Sequence, residues 1–110
     1  LWIERPFVGH GIGSWPILNN AADRRSYPHN IILEIAVEMG VIGLLPFILL
    51  IFYAFKTIFK PARMSSANNV FFLTMLLLVS LFNAMVSGDI PDNRFLFTAI
   101  GFCASVAAQK

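Results

Sequence analysis

Residues 29–59 read HNIILEIAVEMGVIGLLPFILLIFYAFKTIF, and this stretch decides the fold class of the chain. Polar side chains recur four residues apart at Asn30, Glu34 and Glu38, which places them in one stripe along a helix. After Glu38 no charged residue follows until Lys56. A helix of this length can cross the roughly 30 Å hydrocarbon core of a bilayer, which takes about 20 residues. The pattern therefore predicts a membrane-spanning helix with an acidic stripe at its start.

The composition of the whole chain also favours a membrane protein. Of the 110 residues, 57% are hydrophobic and 13% are charged, whereas soluble domains carry about 25% charged residues. Further uncharged runs follow the first, and we expect spans at about 34–59, 70–88 and 94–109. We predict an all-α fold, a polytopic integral membrane protein fragment with about three transmembrane helices.

The first 28 residues differ in character from the rest. Glycines at 9, 11 and 13 and prolines at 6, 16 and 28 interrupt any long helix or strand. We interpret residues 1–28 as the end of a partly ordered outer (periplasmic) loop, and residues 29–110 as the transmembrane helical region. Gly9, Gly11 and Gly13 would shape a tight turn within that loop.

Charge around the spans predicts their orientation. Lys56, Lys60 and Arg63 lie in a short loop without acidic residues, which the positive-inside rule places in the cytoplasm. His29 and residues 89–94 would then meet at the outer face, although two spans separate them in sequence. The predicted location is the cell inner (cytoplasmic) membrane, with membrane lipids as neighbours.

Several kinds of partner are not expected. The net charge is +2 and the basic residues form no stripe with aromatic residues, so the sequence predicts no nucleic acid partner. His10 and His29 do not have the spacing of a metal motif, and the loop glycines lack the dinucleotide-binding pattern. We predict neither a metal nor a cofactor.

His29 is the first candidate for chemistry, because imidazole can take or give a proton near neutral pH. A histidine at the head of a membrane helix can also be a purely structural cap, and Asn30 beside it is the N-cap candidate. Glu34 and Glu38 are costly near a membrane core unless they face protein or water. They could pair with Arg94 or with an arginine of the outer loop, or take part in catalysis.

Two arginines of the outer loop form a second group of candidates. Arg24 and Arg25 are basic residues on the predicted outer side, against the usual bias. They could hold an anionic substrate, or they could pair with Asp23 or with lipid phosphate.

The stretch from His29 to Gly43 resembles the H-N-x-x-L-E-x-x-x-E-x-G-x-x-G signature of the O-antigen ligase and O-antigen polymerase family. Upstream, residues 6–15 (PFVGHGIGSW) resemble that family's P-x-x-G-x-G-x-G segment. The two motifs occur in the expected order, and the remaining spans agree only in hydrophobic layout. The resemblance implies the C-terminal part of a many-spanning enzyme, beginning late in a large outer loop.

The resemblance further implies a metal-independent glycosyltransferase of lipopolysaccharide biosynthesis. The donor would be a glycan on polyprenyl (undecaprenyl) diphosphate, and the acceptor a lipid A core, another lipid-linked glycan or a protein. Nothing in these residues separates ligase, polymerase and protein oligosaccharyltransferase. His29 matches the family histidine that deprotonates or orients the acceptor hydroxyl. The candidates for substrate binding are Arg24, Arg25, Asn30, Glu34, Glu38 and Arg94.

Two other functions fit the same residues. A membrane transporter or channel subunit would use Glu34 and Glu38 as intramembrane carboxylates and a helix kink at Pro46. A structural membrane subunit would use Gly40 and Gly43 for close helix packing. Loss of glycan transfer in His29→Ala favours the enzyme, whereas loss of ion flux in Glu38→Gln favours the transporter.

Overall fold

The computed structural model describes residues 1–20, 27–59, 67–86 and 90–108, and within these ranges it has helices and turns but no strand. The elements in chain order are a 3-10 turn at Trp2–Glu4, α1 at Trp15–Leu18, α2 at Ile31–Ile58, α3 at Ala67–Val86 and α4 at Arg94–Ala108. The predicted all-α class is therefore confirmed for the described part of the chain.

Helix α2 starts where the sequence predicts. Asn30 has an extended backbone, with φ −150°, and its side-chain oxygen accepts hydrogen bonds from the amides of Ile32 and Leu33, each at 3.1 Å. These bonds satisfy amides that have no partner inside the first turn. Asn30 is thus the N-cap of α2.

Helix α2 is irregular at Gly40 and not at Pro46. Gly40 has φ 63° and ψ −160°, a conformation open essentially only to glycine, and it is the one residue inside α2 with non-helical angles. Pro46 lies inside the helix with helical angles, so the break comes earlier than the predicted kink. The reason is that residues 6–11 replace the backbone hydrogen bonds lost around Gly40. These residues belong to the segment predicted to be an outer loop, and we keep the name outer loop for it below.

Helices α2, α3 and α4 pack against one another around one apolar core. Between α2 and α4, the rings of Phe47 and Phe97 meet edge to face, with centroids 6.3 Å apart. The buried core residues are Ile31, Ile35, Phe47, Ala54, Ile58, Leu73, Leu77, Ala84, Leu96, Ala99, Ile100 and Cys103. The architecture of the described helices is a three-helix bundle with the outer loop packed on α2.

The outside of this bundle is also apolar. Large side chains such as Phe52, Phe72 and Val79 are exposed on α2 and α3. By length and composition, α2 and residues 68–86 can each cross a membrane. Helix α4 covers the third predicted span, but its 15 residues reach only about 22 Å. The described residues therefore contain two helices that meet the requirement for a span, and a shorter apolar one.

Candidate functional site

The head of α2 and the turn before α4 lie side by side. The Glu34 side chain is 1% exposed, and one of its carboxylate oxygens accepts a hydrogen bond from the Ile90 amide at 3.0 Å. The sequence predicts that these two segments share one face of the protein, and the contact shows them together. Asp89, which belongs to the same predicted turn, lies outside the described residues.

His29 stands at the start of α2 in an unusual backbone conformation. It is exposed, and its φ of +49° lies in the left-handed region, which costs a residue other than glycine about 1–2 kcal/mol. Residues held in this region persist only where their surroundings fix them, and they cluster at functional sites. On one side Pro28 has its own φ fixed by its ring, and on the other the Asn30 cap is held by its bonds to Ile32 and Leu33, so the residues that flank His29 are restricted. Because His29 is exposed, its imidazole is open to solvent beside the first turn of α2.

The outer loop is joined to α2 by an exchange of backbone hydrogen bonds, which we call the backbone crossing. It involves residues 6–11 and residues 37–42. The bonds run from the amides of His10, Gly11, Val41 and Ile42 to the carbonyls of Val37 (2.9 Å), Glu38 (2.9 Å), Pro6 (2.8 Å) and Phe7 (3.1 Å), respectively. In an uninterrupted α2, the Val37 and Glu38 carbonyls would instead accept from Val41 and Ile42. Each segment thus takes up the partners that the other has given up.

Gly9 and Gly40 lie at the centre of the crossing, with φ of +67° and +63°. A Cβ atom on Gly9 would collide with the Glu38 carbonyl, and one on Gly40 would collide with the Phe7 carbonyl. Gly9 therefore has the predicted role in a tight turn. Gly40 is also a point of close approach, but its neighbour is the outer loop rather than another helix. A Cβ on Gly43 would meet Met39 of its own helix.

Glu38 holds the outer loop through a second contact. Its side chain is 2% exposed, and a carboxylate oxygen accepts a hydrogen bond from the Trp15 amide at 3.3 Å, in the first turn of α1. Glu38 also lines a cavity of about 320 Å³ between the loop and α2. The other lining residues are Val8, Gly11, Ile12, Met39, Ile42 and Gly43. Glu34 and Glu38 thus each accept a hydrogen bond from the backbone amide of a residue that is distant in sequence.

The predicted basic partners are not joined to these carboxylates in the described residues. Arg94 is exposed at the first position of α4, and none of the described ion pairs links it to Glu34 or Glu38. Arg24 and Arg25 lie outside the described residues. Their roles as substrate-binding residues stay predictions.

His10 has a role that the sequence analysis missed. Its Nε2 lies 2.8 Å from the Leu1 carbonyl oxygen and 3.6 Å from the Glu4 carboxylate, so the ring fastens the start of the outer loop.

One signal for the crossing was present in the sequence. Gly9 is the fourth residue of PFVGHG, and Gly40 is the fourth residue of VEMGVI, the two segments that exchange bonds.

In the part of the chain that the structure describes, no group of three or more His, Cys, Asp or Glu side chains could hold a metal ion. No family model, curated protein or solved structure matches the chain. The family resemblance therefore rests on the two sequence motifs. In the structure, these motifs contact each other directly through the backbone crossing and the bond between Glu38 and Trp15.

Proposed function

We propose that the chain belongs to a membrane glycosyltransferase that moves a glycan from polyprenyl diphosphate to an acceptor hydroxyl, at the outer face of the bacterial inner membrane. One observation carries the proposal. The two motifs that resemble the O-antigen ligase and polymerase family interlock along the first part of α2, and His29 is exposed at the head of that helix. The packing of the upstream motif on α2 and the contact of Glu34 with Ile90 bring sequence-distant segments to the helix that carries His29, and convergence of distant segments on one titratable group is typical of an active site.

In the proposed reaction, His29 takes the proton of the acceptor hydroxyl while that oxygen attacks the anomeric carbon of the donor. A new glycosidic bond forms, and the bond from the anomeric carbon to the diphosphate oxygen breaks. The lipid diphosphate leaves with the bonding electron pair, and nearby cations stabilise its charge. Arg94 at the start of α4 is a described candidate for this role, and Arg24 and Arg25 are candidates in the loop. The acceptor is a lipid A core, another glycan or a protein.

The exposed apolar surface supports membrane insertion. Phe52, Phe72 and Val79, on α2 and α3, have 65%, 64% and 67% of their surface exposed. Large exposed apolar surfaces mark membrane or protein interaction sites, and lipid or further membrane helices would cover these side chains. With Lys56 near the end of α2 in the cytoplasm, His29 lies on the outer side.

The two buried carboxylates act as positioning residues in this proposal. Glu34 accepts a hydrogen bond from the Ile90 amide at the head of α2, and Glu38, four residues further along, accepts one from the Trp15 amide. Each carboxylate thus fastens a distant segment to the first part of α2. An ion path needs carboxylates that bind and release cations. Carboxylates bonded to backbone amides favour the enzyme over the transporter.

The test replaces His29 in the full-length protein by Asn and by Gly, two residues that tolerate the left-handed backbone. We expect glycan transfer to fall about 10²–10⁴-fold, the usual contribution of a general base, while the protein stays folded. The matched control is His10→Asn, which makes the same side-chain change at the histidine that fastens the loop. Transfer at the wild-type rate in both His29 variants, at normal expression, would refute the catalytic role.

A further inference from the structure

The backbone crossing has an unusual property. Each amide and each carbonyl that it joins could instead form a hydrogen bond within its own segment. Its four donors are the amides of His10, Gly11, Val41 and Ile42, and its four acceptors are the carbonyls of Pro6, Phe7, Val37 and Glu38. If each segment became helical, the same donors and acceptors would pair within their own segment. Every new bond would join residues i and i−4, as in an ordinary α-helix.

Both segments already have helical hydrogen bonds or helical backbone next to the groups that would pair. The Gly9 amide donates to the Arg5 carbonyl at 3.0 Å, which is a helical bond immediately before the crossing. On the other side, α2 is helical before and after Gly40. Moving Gly40 alone into the helical region would make α2 continuous.

We propose that the backbone crossing is a two-state switch. In the crossed state the outer loop is paired with α2, as observed. In the re-paired state α2 runs unbroken through Gly40 and residues 6–11 leave it. Each of the four backbone donors has an acceptor available in both states, so the balance is set by the other contributions. These are the Glu38–Trp15 hydrogen bond, which favours the crossed state, and the marginal stability of a single turn at residues 6–11 in the re-paired state. Two-state elements of this kind are the usual basis of conformational change.

Re-pairing would have two structural consequences. The cavity beside Glu38 is already open on one side, since Val8 and Ile12 in its lining are exposed, and re-pairing would remove the wall formed by Val8, Gly11 and Ile12, which belong to the loop. The head of α2, with His29 and Glu34, would also turn relative to the part of the helix beyond Gly40. The switch would therefore change the shape of this cavity and the direction in which His29 points. It does not depend on the proposed reaction, and its test measures backbone pairing rather than glycan transfer.

The variant Gly40→Ala should move the switch to the re-paired state. An Ala Cβ would collide with the Phe7 carbonyl in the crossed state, whereas Ala is the better helix former in the re-paired state. Gly101→Ala is the matched control, because Gly101 is inside α4 and a Cβ there would meet nothing within 4 Å. Amide hydrogen exchange of the full-length protein in nanodiscs reports the pairing at each residue.

In Gly40→Ala we expect His10 and Gly11 to exchange at least about tenfold faster, since a single isolated turn is marginal in water. Val41 and Ile42 should stay protected, because they have new partners in α2. The control should match the wild type. Loss of protection at all four amides would mean that the crossing simply frays, and wild-type protection at all four would mean that it is fixed. Either result would overturn the switch.

If Gly40→Ala does not accumulate in the membrane, the wild-type protein provides the same test. The switch requires His10 and Gly11 to exchange faster than Val41 and Ile42. In the re-paired state Val41 and Ile42 lie inside the long helix α2, whereas His10 and Gly11 depend on a single isolated turn, which is marginal in water. Equal rates at the four amides would contradict it.

Discussion

The carboxylate of Glu34 accepts a hydrogen bond from the backbone amide of Ile90 at 3.0 Å, and so joins the first turn of α2 to the turn that precedes α4. The Glu34 side chain is buried, so this contact lies inside the protein where an unmatched polar group is costly. It brings the segment that carries Arg94 beside the segment that carries His29.

Replacing Glu34 by Ala should destabilise the fold, because the Ile90 amide loses its acceptor. We expect a fall of about 1–3 kcal/mol in the free energy of unfolding, the usual penalty for an unsatisfied buried group. Glu34→Gln keeps an acceptor oxygen of similar reach and should lose less. Denaturant unfolding in detergent micelles measures both, and equal losses in the two variants would contradict the role assigned to this bond.

The N-cap of α2 should make its own contribution. In Asn30→Ala, the amides of Ile32 and Leu33 lose their shared acceptor. The expected loss is about 1 kcal/mol, within the range of 0.5–2 kcal/mol seen for N-cap substitutions. Asn30→Asp, which retains the acceptor, serves as the control and should stay near the wild type. Thermal unfolding of the purified proteins measures the stability of the wild type, Asn30→Asp and Asn30→Ala, and Asn30→Ala should be the least stable.

His29 offers a way to separate stability from activity. Because its φ of +49° lies in the left-handed region, His29→Gly should stabilise the protein by up to about 1–2 kcal/mol, since glycine adopts this conformation without the steric penalty. The same variant should lose glycan transfer. A clear destabilisation would instead show that the imidazole is a structural cap, which is the alternative that the sequence left open.

Glu38 should hold α1 through the Trp15 amide. The chain has two tryptophans, so Trp2→Phe leaves Trp15 as a fluorescent reporter. In that background, Glu38→Leu should shift the Trp15 emission to longer wavelength as the half-buried ring gains water, because a leucine cannot accept the hydrogen bond at this position. Glu38→Gln should leave the emission unchanged. A spectrum that does not respond to Glu38→Leu would show that the bond does not fix α1.

The proposed membrane insertion can be tested on α3. Val79 is exposed in the interior of this helix, and Val79→Arg should impair membrane integration, since an arginine at the centre of a span costs about 2.5–3.5 kcal/mol on insertion scales. Asn69→Arg makes a basic substitution at an exposed position near the end of the same helix and should be tolerated. Resistance of the protein to carbonate extraction from membranes measures integration. Equal resistance of both variants would argue against a span at α3.

The sequence by itself determined the local features of this protein. The Asn30 cap, the helix that follows it and the apolar segments that became α3 and α4 depend on residues close together in the chain. Periodicity and capping chemistry act over a few residues, so they can be read without knowing the rest of the fold. The meeting of the α2 head with the turn before α4 also followed, because two successive long helices that run in opposite directions return the chain to the same end of the bundle.

Only the tertiary structure decided where α2 breaks and which groups its carboxylates bind. A proline is the strongest local signal for a kink, yet Pro46 keeps helical angles and the break lies at Gly40. It lies there because the outer loop supplies partners for the backbone groups around Gly40. The sequence suggested Arg94 or an arginine of the outer loop as a partner for Glu34 and Glu38, and the pairing with Arg24 or Arg25 stays a prediction. The structure adds two bonds that the sequence did not indicate, from the amides of Ile90 and Trp15 to these carboxylates. Every residue except proline has a backbone amide that can donate a hydrogen bond. The residue types therefore do not show which amide a carboxylate will bind, and packing of the distant segments decides it.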